Sequence, residues 1–289
     1  MSASFLSECK EKVLNRIDVL LSGDSKITSA MRYSALADSK CIRAGLVFAS
    51  GNLNKKISTS ALTDMAASIE LMHTYSLIHD DLPSMDNDEM RRGQASNHIK
   101  YNEATAILAG DALQALAYET IASSLEISPT QKISSIKALA NACGYTGMIL
   151  GQQYDLDAER NEYNDIKKIH ELKTGKLIQA AVTMPHEGEE EQTNQLAILG
   201  EIGIDLGLAF QIMDDVLEAS SDSKTLGKNN QSDMLNKKLT YVSAYGKKES
   251  IDQAYALSNR CVTKLENAFE NNEAANLIAM AEFMVKRKN

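Results

Sequence analysis

Apolar residues recur with a helical period along much of this chain. Between residues 196 and 218 they follow one another at steps of three or four, which places them on one stripe of an α-helix. Residues 62–81 show roughly helical spacing, residues 104–122 are rich in Ala and Leu, and no segment alternates with the period of a strand. The sequence predicts an all-α protein, a large antiparallel helix bundle. The stripe consists of Leu199, Ile202, Leu206, Phe210, Met213 and Leu217.

Interruptions between the predicted helices are few, with three prolines among 289 residues. Polar connections are expected at residues 51–60, 186–195 and 220–232, and the Ser-Pro pair at residues 128–129 is typical of a helix start. None of these segments has the character of a linker between domains. We therefore predict a single domain over residues 1–289.

The composition argues against several classes of protein. A net charge of -9 disfavours a general nucleic-acid binder. The four cysteines form no CxxC pair, which indicates free thiols in a reducing cytoplasm rather than a zinc site or a disulfide framework. Residues 1–15 hold no apolar run long enough for a signal peptide. Because no stretch of about 18 apolar residues occurs, no transmembrane segment is expected.

A first group of carboxylates follows a predicted helix. Asp80 and Asp81 fall in its last turn, because Pro83 disfavours helix at the residue before it. A helix C-terminus is itself partly negative, so this acidic group, which continues with Asp86, requires neutralising cations. Carboxylate oxygens suit Mg²⁺ that also binds phosphate, and the arginine pair at residues 91–92 suits phosphate directly. Taken alone, the group could equally be an exposed acidic loop balanced by the two arginines.

A second group of carboxylates lies on the helix predicted over residues 196–218. Gln211, Asp214, Asp215 and Glu218 stand at offsets of 0, 3, 4 and 7 and so share one helical face. A solvated charged face is the alternative here too. If the two helices are neighbours in a bundle, both groups meet at one end of an apolar cavity, where Mg²⁺ ions bound by them could hold one diphosphate substrate.

Together the motifs resemble those of the trans-prenyltransferases, or polyprenyl synthetases, most closely the bacterial farnesyl diphosphate synthases. The resemblance extends over nearly the whole chain. It implies an all-helical fold of the isoprenoid synthase type around a central cavity, usually as a homodimer. Its motifs are Asp80-Asp81-Leu-Pro-Ser-Met-Asp86, Arg91-Arg92-Gly93, Lys173-Thr174-Gly175, Phe210-Gln211 with Asp214-Asp215, and Thr225-Leu226-Gly227-Lys228 with Asp233 and Lys238.

The resemblance also implies a reaction. An enzyme of this kind condenses isopentenyl diphosphate with dimethylallyl or geranyl diphosphate to give farnesyl diphosphate, using three Mg²⁺ ions per active site. Metal ions and cationic side chains stabilise the diphosphate as the allylic carbon–oxygen bond breaks. The cavity excludes water from the allylic cation until the alkene of isopentenyl diphosphate attacks it.

Individual residues receive roles from the resemblance. The expected metal ligands are Asp80, Asp86 and Asp214, supported by Asp81, Asp215 and Glu218. The side chains expected to contact the allylic diphosphate are Arg91, Lys173, Lys228 and Lys238. Those expected beside the cation are Thr174 and Gln211, which complete a catalytic set with Lys173 and Lys228. The isopentenyl diphosphate site is expected at Lys40, Arg43, His73 and Arg92.

The residues just before the first motif are expected to limit product length. Tyr75 lies five residues and Ser76 four residues before Asp80. One helical turn rises about 5.4 Å, comparable to an isoprene unit, so a ring one turn below the diphosphate can block a longer tail. An aromatic residue at this position resembles the enzymes with fifteen-carbon products. We therefore predict that Tyr75 is the floor of the cavity.

Two places depart from the family pattern. Where the family usually has Gly-Gly-Lys-Arg-x-Arg-Pro, residues 38–44 keep Lys40 and Arg43 but lose both glycines, one arginine and the proline. The lost cation and the added Asp38 predict weaker binding of isopentenyl diphosphate. Glu218 replaces the usual aspartate of the second motif, from which we expect reduced rather than abolished activity.

Other functions stay open from the sequence. A geranyl or geranylgeranyl diphosphate synthase would differ only in product length. A catalytically weak prenyltransferase-like subunit would account for the altered residues 38–44. A class I terpene cyclase shares the helical fold and an aspartate-rich site, although the paired carboxylate motifs and the cationic residues favour two diphosphate substrates.

Overall fold

The computed structural model describes residues 3–188, 193–225, 239–270 and 272–287. These residues are mostly α-helical and contain one two-stranded antiparallel hairpin. They divide into two compact units, built from the described parts of residues 1–139 with 184–191 and of residues 140–183 with 192–289. The all-α prediction is confirmed, and the single domain over residues 1–289 stays a prediction.

The first unit surrounds one buried helix, α4. Its elements are α1 (Ala3–Leu20), α2 (Lys26–Ala35), α3 (Ile42–Gly51), α4 (Thr59–Asp80), β1 (Met90–Arg91), β2 (Gln94–Ala95), α5 (Asn97–Tyr101), α6 (Glu103–Ser123), most of α7 (Pro129–Cys143) and the 3₁₀ turn Met184–His186. Met65 and Ile69 of α4 are fully buried, as expected of a helix with apolar residues around its circumference. Ser68 satisfies its buried hydroxyl by donating to the carbonyl of Ala117 on α6 (2.6 Å). These contacts fix the helix that ends at Asp80.

The second unit is organised by the long helix α11. Its elements are α8 (Met148–Glu159), α9 (Ile166–His170), the π-helical turn Glu171–Gly175, α10 (Lys176–Thr183), α11 (Thr193–Thr225), α12 (Tyr241–Tyr245), α13 (Lys247–Ala268) and α14 (Ala275–Lys286). Two glycines of α11 permit a very close approach of its neighbours. A Cβ at Gly203 would lie 2.5 Å from the Cα of Gln179, and one at Gly207 would lie 2.4 Å from the Cα of Gly175. The glycines therefore bring the turn that carries residues 173–175 against α11.

The predicted helices are confirmed at residues 62–81, 104–122 and 196–218, where α4, α6 and α11 lie. The helix start at residues 128–129 is also confirmed. The connection expected at residues 51–60 is present but shorter, because α3 ends at Gly51 and α4 begins at Thr59. The connection expected at residues 186–195 ends earlier than predicted, because α11 begins at Thr193.

The predicted connection at residues 220–232 is wrong in its first part, because α11 continues to Thr225. Ser220 donates to the carbonyl of Val216 (2.5 Å), so this polar side chain is accommodated within the helix. Residues 226–238 and most of the acidic run near residue 190 lie outside the described part of the chain.

Within the described residues, one helix is long and apolar enough to cross a membrane by length and composition. It is the Asn194–Ser220 part of α11, and 61% of its most apolar window is buried inside the protein. The core helix of a soluble protein meets the same criterion. Leu199, Ile202 and Leu206, which are fully buried, show that α11 packs as a core helix.

Candidate active site

The first carboxylate cluster, Asp80, Asp81 and Asp86, is formed where the chain folds back after α4. Asp80 is the last residue of α4, and Asp81 follows as its C-cap. The backbone N–H of Asp86 donates to the carbonyl of Asp80 (2.9 Å), and that of Asn87 donates to the carbonyl of Leu82 (3.1 Å). A backbone hydrogen bond therefore holds the first and last aspartates of the motif side by side. The helix end predicted before Pro83 is confirmed.

Asp81 is the buried member of this cluster. Only 2% of the residue is exposed, and one carboxylate oxygen accepts from Nε (2.9 Å) and Nη2 (2.5 Å) of Arg91. The same Nη2 also donates to Asp88 (2.8 Å). Burial raises the pKa of Asp81, and Arg91 opposes that shift. Arg91, expected at the allylic diphosphate, is bound here to two carboxylates, and Asp81 is placed to orient the hairpin that follows.

Arg92 lies in a tight turn, which the sequence did not indicate. Strands β1 and β2 pair Arg91 with Gln94, so Arg92 and Gly93 are the two turn residues. Their φ angles are +53° and +77°, the combination that a two-residue hairpin turn of type I′ requires. The hairpin is fixed to α2, because the hydroxyl of Tyr33 donates to the carbonyl of Ala95 (2.7 Å). Backbone geometry therefore sets where Arg92 presents its charge.

A cationic region lies around His73 on α4. Enclosure by the protein lowers the pKa of His73 well below its usual value, and the positive charges of Arg43, Arg92 and Arg91 lower it further. The imidazole is therefore neutral at neutral pH. Two of the residues expected at the isopentenyl diphosphate site, Arg43 and Arg92, thus act on a third, His73. The fourth, Lys40, is exposed just before α3.

The altered segment before α3 has contacts of its own. Cys41 has a φ of +46° and is buried, and burial raises the pKa of its thiol to about 12. Asp38, expected to repel the second substrate, is exposed and forms an ion pair with Lys10 (2.6 Å). The backbone N–H of Ala44 donates to the buried carboxylate of Glu70 (2.9 Å). A proline at residue 44 would lack that N–H and could not make this contact.

The second carboxylate cluster, Asp214, Asp215 and Glu218, points in more than one direction. The side chain of Asp214 is 39% exposed and accepts from Nη2 of Arg287 (2.5 Å). Glu218 is exposed. Asp215 is buried and accepts from the backbone N–H of Tyr241 (2.7 Å). Asp214 and Glu218 are therefore accessible to a ligand, whereas Asp215 anchors α12.

Asp215 is held in a polar pocket inside the second unit. Nε2 of Gln211 donates to it (3.3 Å), and Nε2 of His170 lies 3.6 Å away. Burial raises the pKa of Asp215 to about 6, although these hydrogen bonds oppose the shift. His170, which the sequence did not single out, stacks on the ring of Tyr241 with centroids 5.7 Å apart.

Lys173 and Thr174 lie in the π-helical turn Glu171–Gly175. The hydroxyl of Thr174 donates to Oε1 of Gln211 (3.0 Å), which joins two residues predicted to lie beside the cation. Nζ of Lys173 donates to Asp155 of α8 (2.7 Å). A Cβ at Gly151 would lie 2.2 Å from the backbone N of Lys173, so α8 approaches the turn closely. Single π-helical turns within helices often occur at functional sites.

The residues predicted to limit product length lie on α4. Tyr75 is buried, and its ring meets that of His79 edge to face, with centroids 5.6 Å apart. Ser76 donates to the carbonyl of His73 (2.8 Å), which satisfies its hydroxyl along the helix. Lys228 and Lys238, two predicted diphosphate contacts, lie outside the described residues.

The donor set fits Mg²⁺ that shares its ligands with a substrate. Within the described ranges, no three His, Cys, Asp or Glu side chains lie close enough to hold a metal ion by themselves. Mg²⁺ typically takes one or two protein carboxylates and fills its remaining positions with water and phosphate oxygens. Asp80 and Asp86 offer such oxygens in the first unit, and Asp214 offers them in the second.

Four residues with a place in these sites were missed from the sequence. Asp155, His170 and Arg287 each contact a predicted site residue from a different element, and Glu70 contacts the altered segment. Each is a single polar residue whose partner is distant along the chain, so no spacing pattern could reveal it.

Comparison with known proteins places this geometry in context. A family model described as polyprenyl synthetase matches residues 24–278. The chain is 38% identical over 270 residues to the farnesyl diphosphate synthase of Escherichia coli K12, covering 91% of this chain and 90% of that protein. It is 41% identical over 270 residues to the geranylgeranyl diphosphate synthase of Cyanophora paradoxa, covering 91% and 88%. The crystal structure of an FPP/GFPP synthase from Zymomonas mobilis matches with a TM-score of 0.86 at 32% identity, over 97% of this chain and 98% of that one.

Proposed function

Because this chain belongs to the polyprenyl synthetase family, we propose that it is a short-chain trans-prenyltransferase that makes farnesyl diphosphate. It condenses isopentenyl diphosphate with dimethylallyl or geranyl diphosphate. In each condensation the carbon–oxygen bond of the allylic diphosphate breaks and a carbon–carbon bond to isopentenyl diphosphate forms. A proton then leaves the new product for the departing diphosphate.

The observation that carries the proposal is the pairing of a carboxylate cluster and a cationic region on one helix. His73 and Asp80 lie seven residues apart on α4, so their side chains project from the same face. Arg43, Arg91 and Arg92 all act electrostatically on His73. This region is suited to the diphosphate of the second substrate, because guanidinium groups match phosphate geometry and a neutral imidazole can donate a hydrogen bond.

From the family pattern alone, we assign the allylic substrate to the two carboxylate clusters and to the turn that carries Lys173. Asp80, Asp86 and Asp214 would hold Mg²⁺, which when bound neutralises the charge that develops on the leaving diphosphate. Lys173 is oriented by Asp155, and Thr174 by Gln211. The oxygens of Thr174 and Gln211 can stabilise the positive charge that develops on the allylic carbon. Lys228 and Lys238 stay proposed contacts of the diphosphate from the family pattern alone.

Farnesyl diphosphate is the proposed product because Tyr75 is a large, buried ring one turn before Asp80. The relatives include both farnesyl and geranylgeranyl diphosphate synthases, so the family alone does not assign the product. The ring supports a fifteen-carbon limit, with the twenty-carbon product as the second candidate.

We further propose that the protein acts as a homodimer. Helix α6 exposes large apolar side chains, with Ile107 43% and Leu108 55% exposed. Ala104 and Ala115 are exposed on the same helix. Apolar residues clustered on a surface helix are suited to a protein interface, and a second copy of this chain is the proposed partner. The four cysteines, all buried free thiols, support a cytoplasmic location.

Product analysis tests the proposal. The chain is incubated with Mg²⁺, isopentenyl diphosphate and either dimethylallyl or geranyl diphosphate, and the products are sized. A fifteen-carbon product is expected, and Asp80→Asn should abolish it while leaving the fold intact. A twenty-carbon product would instead assign a geranylgeranyl diphosphate synthase. A product formed from an allylic diphosphate alone would indicate a cyclase, and no product from the isolated chain would indicate a weak subunit.

A further inference from the structure

We propose that His79 is a positioning residue that sets product length by holding the ring of Tyr75. Gly110, which has no side chain, leaves the space that the imidazole of His79 occupies. The inference rests on the proposed function, in which Tyr75 closes the path of the growing chain. The limit on product length is thereby set by Tyr75 and His79 of α4 together with Gly110 of α6, rather than by the ring of Tyr75 alone.

The first contact lies within α4. Tyr75 and His79 are four residues apart, which places them one above the other on the same face of the helix. Their rings meet edge to face, with centroids 5.6 Å apart and an interplanar angle of 86°. This is a favoured arrangement for two aromatic rings, so the imidazole restricts the rotation of the tyrosine ring.

The second contact fixes the imidazole itself. Nε2 of His79 lies 3.0 Å from the carbonyl oxygen of Ile107 on α6. A carbonyl can only accept, so Nε2 carries the proton and donates it. Asp111, one turn further along α6, has an oxygen 3.9 Å from the same nitrogen and favours a donor there. The ring is therefore held against α6 at one end and against Tyr75 at the other.

Gly110 provides the space for this arrangement. A Cβ at Gly110 would lie 2.1 Å from Nε2, 2.5 Å from Cδ2 and 2.9 Å from Cε1 of His79, so the imidazole would have to move. Gly110 lies within α6, and its φ is not positive. Glycine inside a helix is unfavourable relative to alanine. The reason for glycine at this position is therefore the imidazole and not the backbone.

The consequence is that Tyr75 depends on α6 for its position. Without the imidazole, or with the imidazole displaced by a side chain at residue 110, the ring of Tyr75 gains rotational freedom. A ring that can turn aside no longer stops a fifteen-carbon tail, and further condensation follows. Product length should respond to residues 79 and 110 even though neither is expected to touch the diphosphates.

The test is a set of product distributions measured with geranyl diphosphate and excess isopentenyl diphosphate. Tyr75→Ala, His79→Ala and Gly110→Ala are each expected to raise the ratio of twenty-carbon to fifteen-carbon product several-fold. Gly200→Ala is the matched control, because it changes a helical glycine whose nearest neighbour is an ordinary 3.4 Å away. It should leave the ratio unchanged. Only folded, active protein forms product. Partial misfolding therefore lowers the total yield of product without changing the ratio.

A double variant separates positioning from general damage. The added methyl group at residue 110 meets the imidazole, so His79→Ala combined with Gly110→Ala should have the same ratio as His79→Ala. The double variant should also recover the thermal midpoint lost in Gly110→Ala. If Gly110→Ala fails to fold, the double variant still provides a product ratio and a thermal midpoint.

Two results would overturn separate claims. An unchanged ratio in Tyr75→Ala would remove Tyr75 as the proposed floor. A shifted ratio in Tyr75→Ala with unchanged ratios in His79→Ala and in the double variant would refute the role of His79 while leaving the floor in place.

Discussion

The guanidinium of Arg287 donates through Nη2 to the carboxylate of Asp214 at 2.5 Å. The same nitrogen donates to the carbonyl of Phe210 at 3.1 Å, and the guanidinium lies 3.7 Å from the centre of the Phe210 ring. The side chain of Arg287 is only 7% exposed. A cation supplied by the residue just after α14 thus neutralises the first aspartate of the second carboxylate cluster.

Arg287→Gln should therefore separate stability from metal binding. The variant loses a charged hydrogen bond to a half-exposed carboxylate, so we expect the free energy of unfolding to fall by about 1–2 kcal/mol. Asp214 should bind Mn²⁺ more tightly in the presence of inorganic diphosphate, because the guanidinium no longer competes for it. Metal titration followed by electron paramagnetic resonance measures the second effect. Lys286→Gln, which alters an exposed pair with Glu282, is the control, and equal metal affinity in all three proteins would contradict the competition.

His73 should make the protein less stable as the pH falls. Its pKa is lowered well below the usual value, so the unfolded chain takes up a proton near pH 6.5 that the folded protein resists. The free energy of unfolding should therefore fall below about pH 6.5, by at most about 1.4 kcal/mol per pH unit. Chemical denaturation between pH 5 and pH 8 measures it.

The comparison with His73→Gln isolates this residue from other groups that titrate in the range, including Asp215. The variant should show a flatter profile below about pH 6.5, where the usual histidine titrates. Identical profiles for both proteins would show that the imidazole is not the group responsible.

Ala44→Pro should destabilise the protein although proline is usual there in the family. Residue 44 lies in the first turn of α3, where the ring of proline is tolerated. The substitution removes the N–H that binds the buried carboxylate of Glu70, and an unpaired buried acceptor costs about 1–3 kcal/mol. Adding Glu70→Leu should recover most of the loss in a thermal unfolding experiment. If Ala44→Pro is as stable as the parent protein, the contact contributes nothing.

Gly93→Ala should disturb the hairpin that presents Arg92. The φ of +77° disfavours a side chain, while a Cβ there meets no described atom within 4 Å, so strain is the whole effect. We expect a loss of about 1 kcal/mol in stability and a higher Michaelis constant for isopentenyl diphosphate. Gly93→Asn should be milder on both measures, because asparagine tolerates this conformation better. Equal effects of Ala and Asn would argue against backbone strain.

The altered segment at residues 38–44 should weaken the binding of isopentenyl diphosphate. The family's extra arginine is replaced by Cys41, a buried residue that contributes no charge. Side-by-side kinetics with a family member that keeps the full Gly-Gly-Lys-Arg-x-Arg-Pro sequence should give a higher Michaelis constant for this chain, with a similar constant for geranyl diphosphate. A Michaelis constant for isopentenyl diphosphate equal to that of the family member would contradict this prediction.

The sequence by itself determined the long helices α4, α6 and α11, the end of α4 and the identity of the two carboxylate clusters. Apolar spacing predicted α4, α6 and α11 because a helix repeats every 3.6 residues, a period visible along the chain. Pro83 predicted the helix end at Asp80 through a local steric effect. Motifs with fixed spacing then identified the family, because they supply the carboxylates and cationic side chains that bind metal ions and diphosphate.

Only the tertiary structure decided which carboxylates stay accessible and which are buried in contacts with other residues of the protein. The pattern treats Asp214 and Asp215 alike, yet Asp215 is buried against Tyr241 while Asp214 is paired with Arg287. Likewise, nothing in the sequence near Tyr75 indicates that Gly110 makes room for His79. Such contacts join residues that are distant along the chain, and their distances follow from how helices pack rather than from any local period.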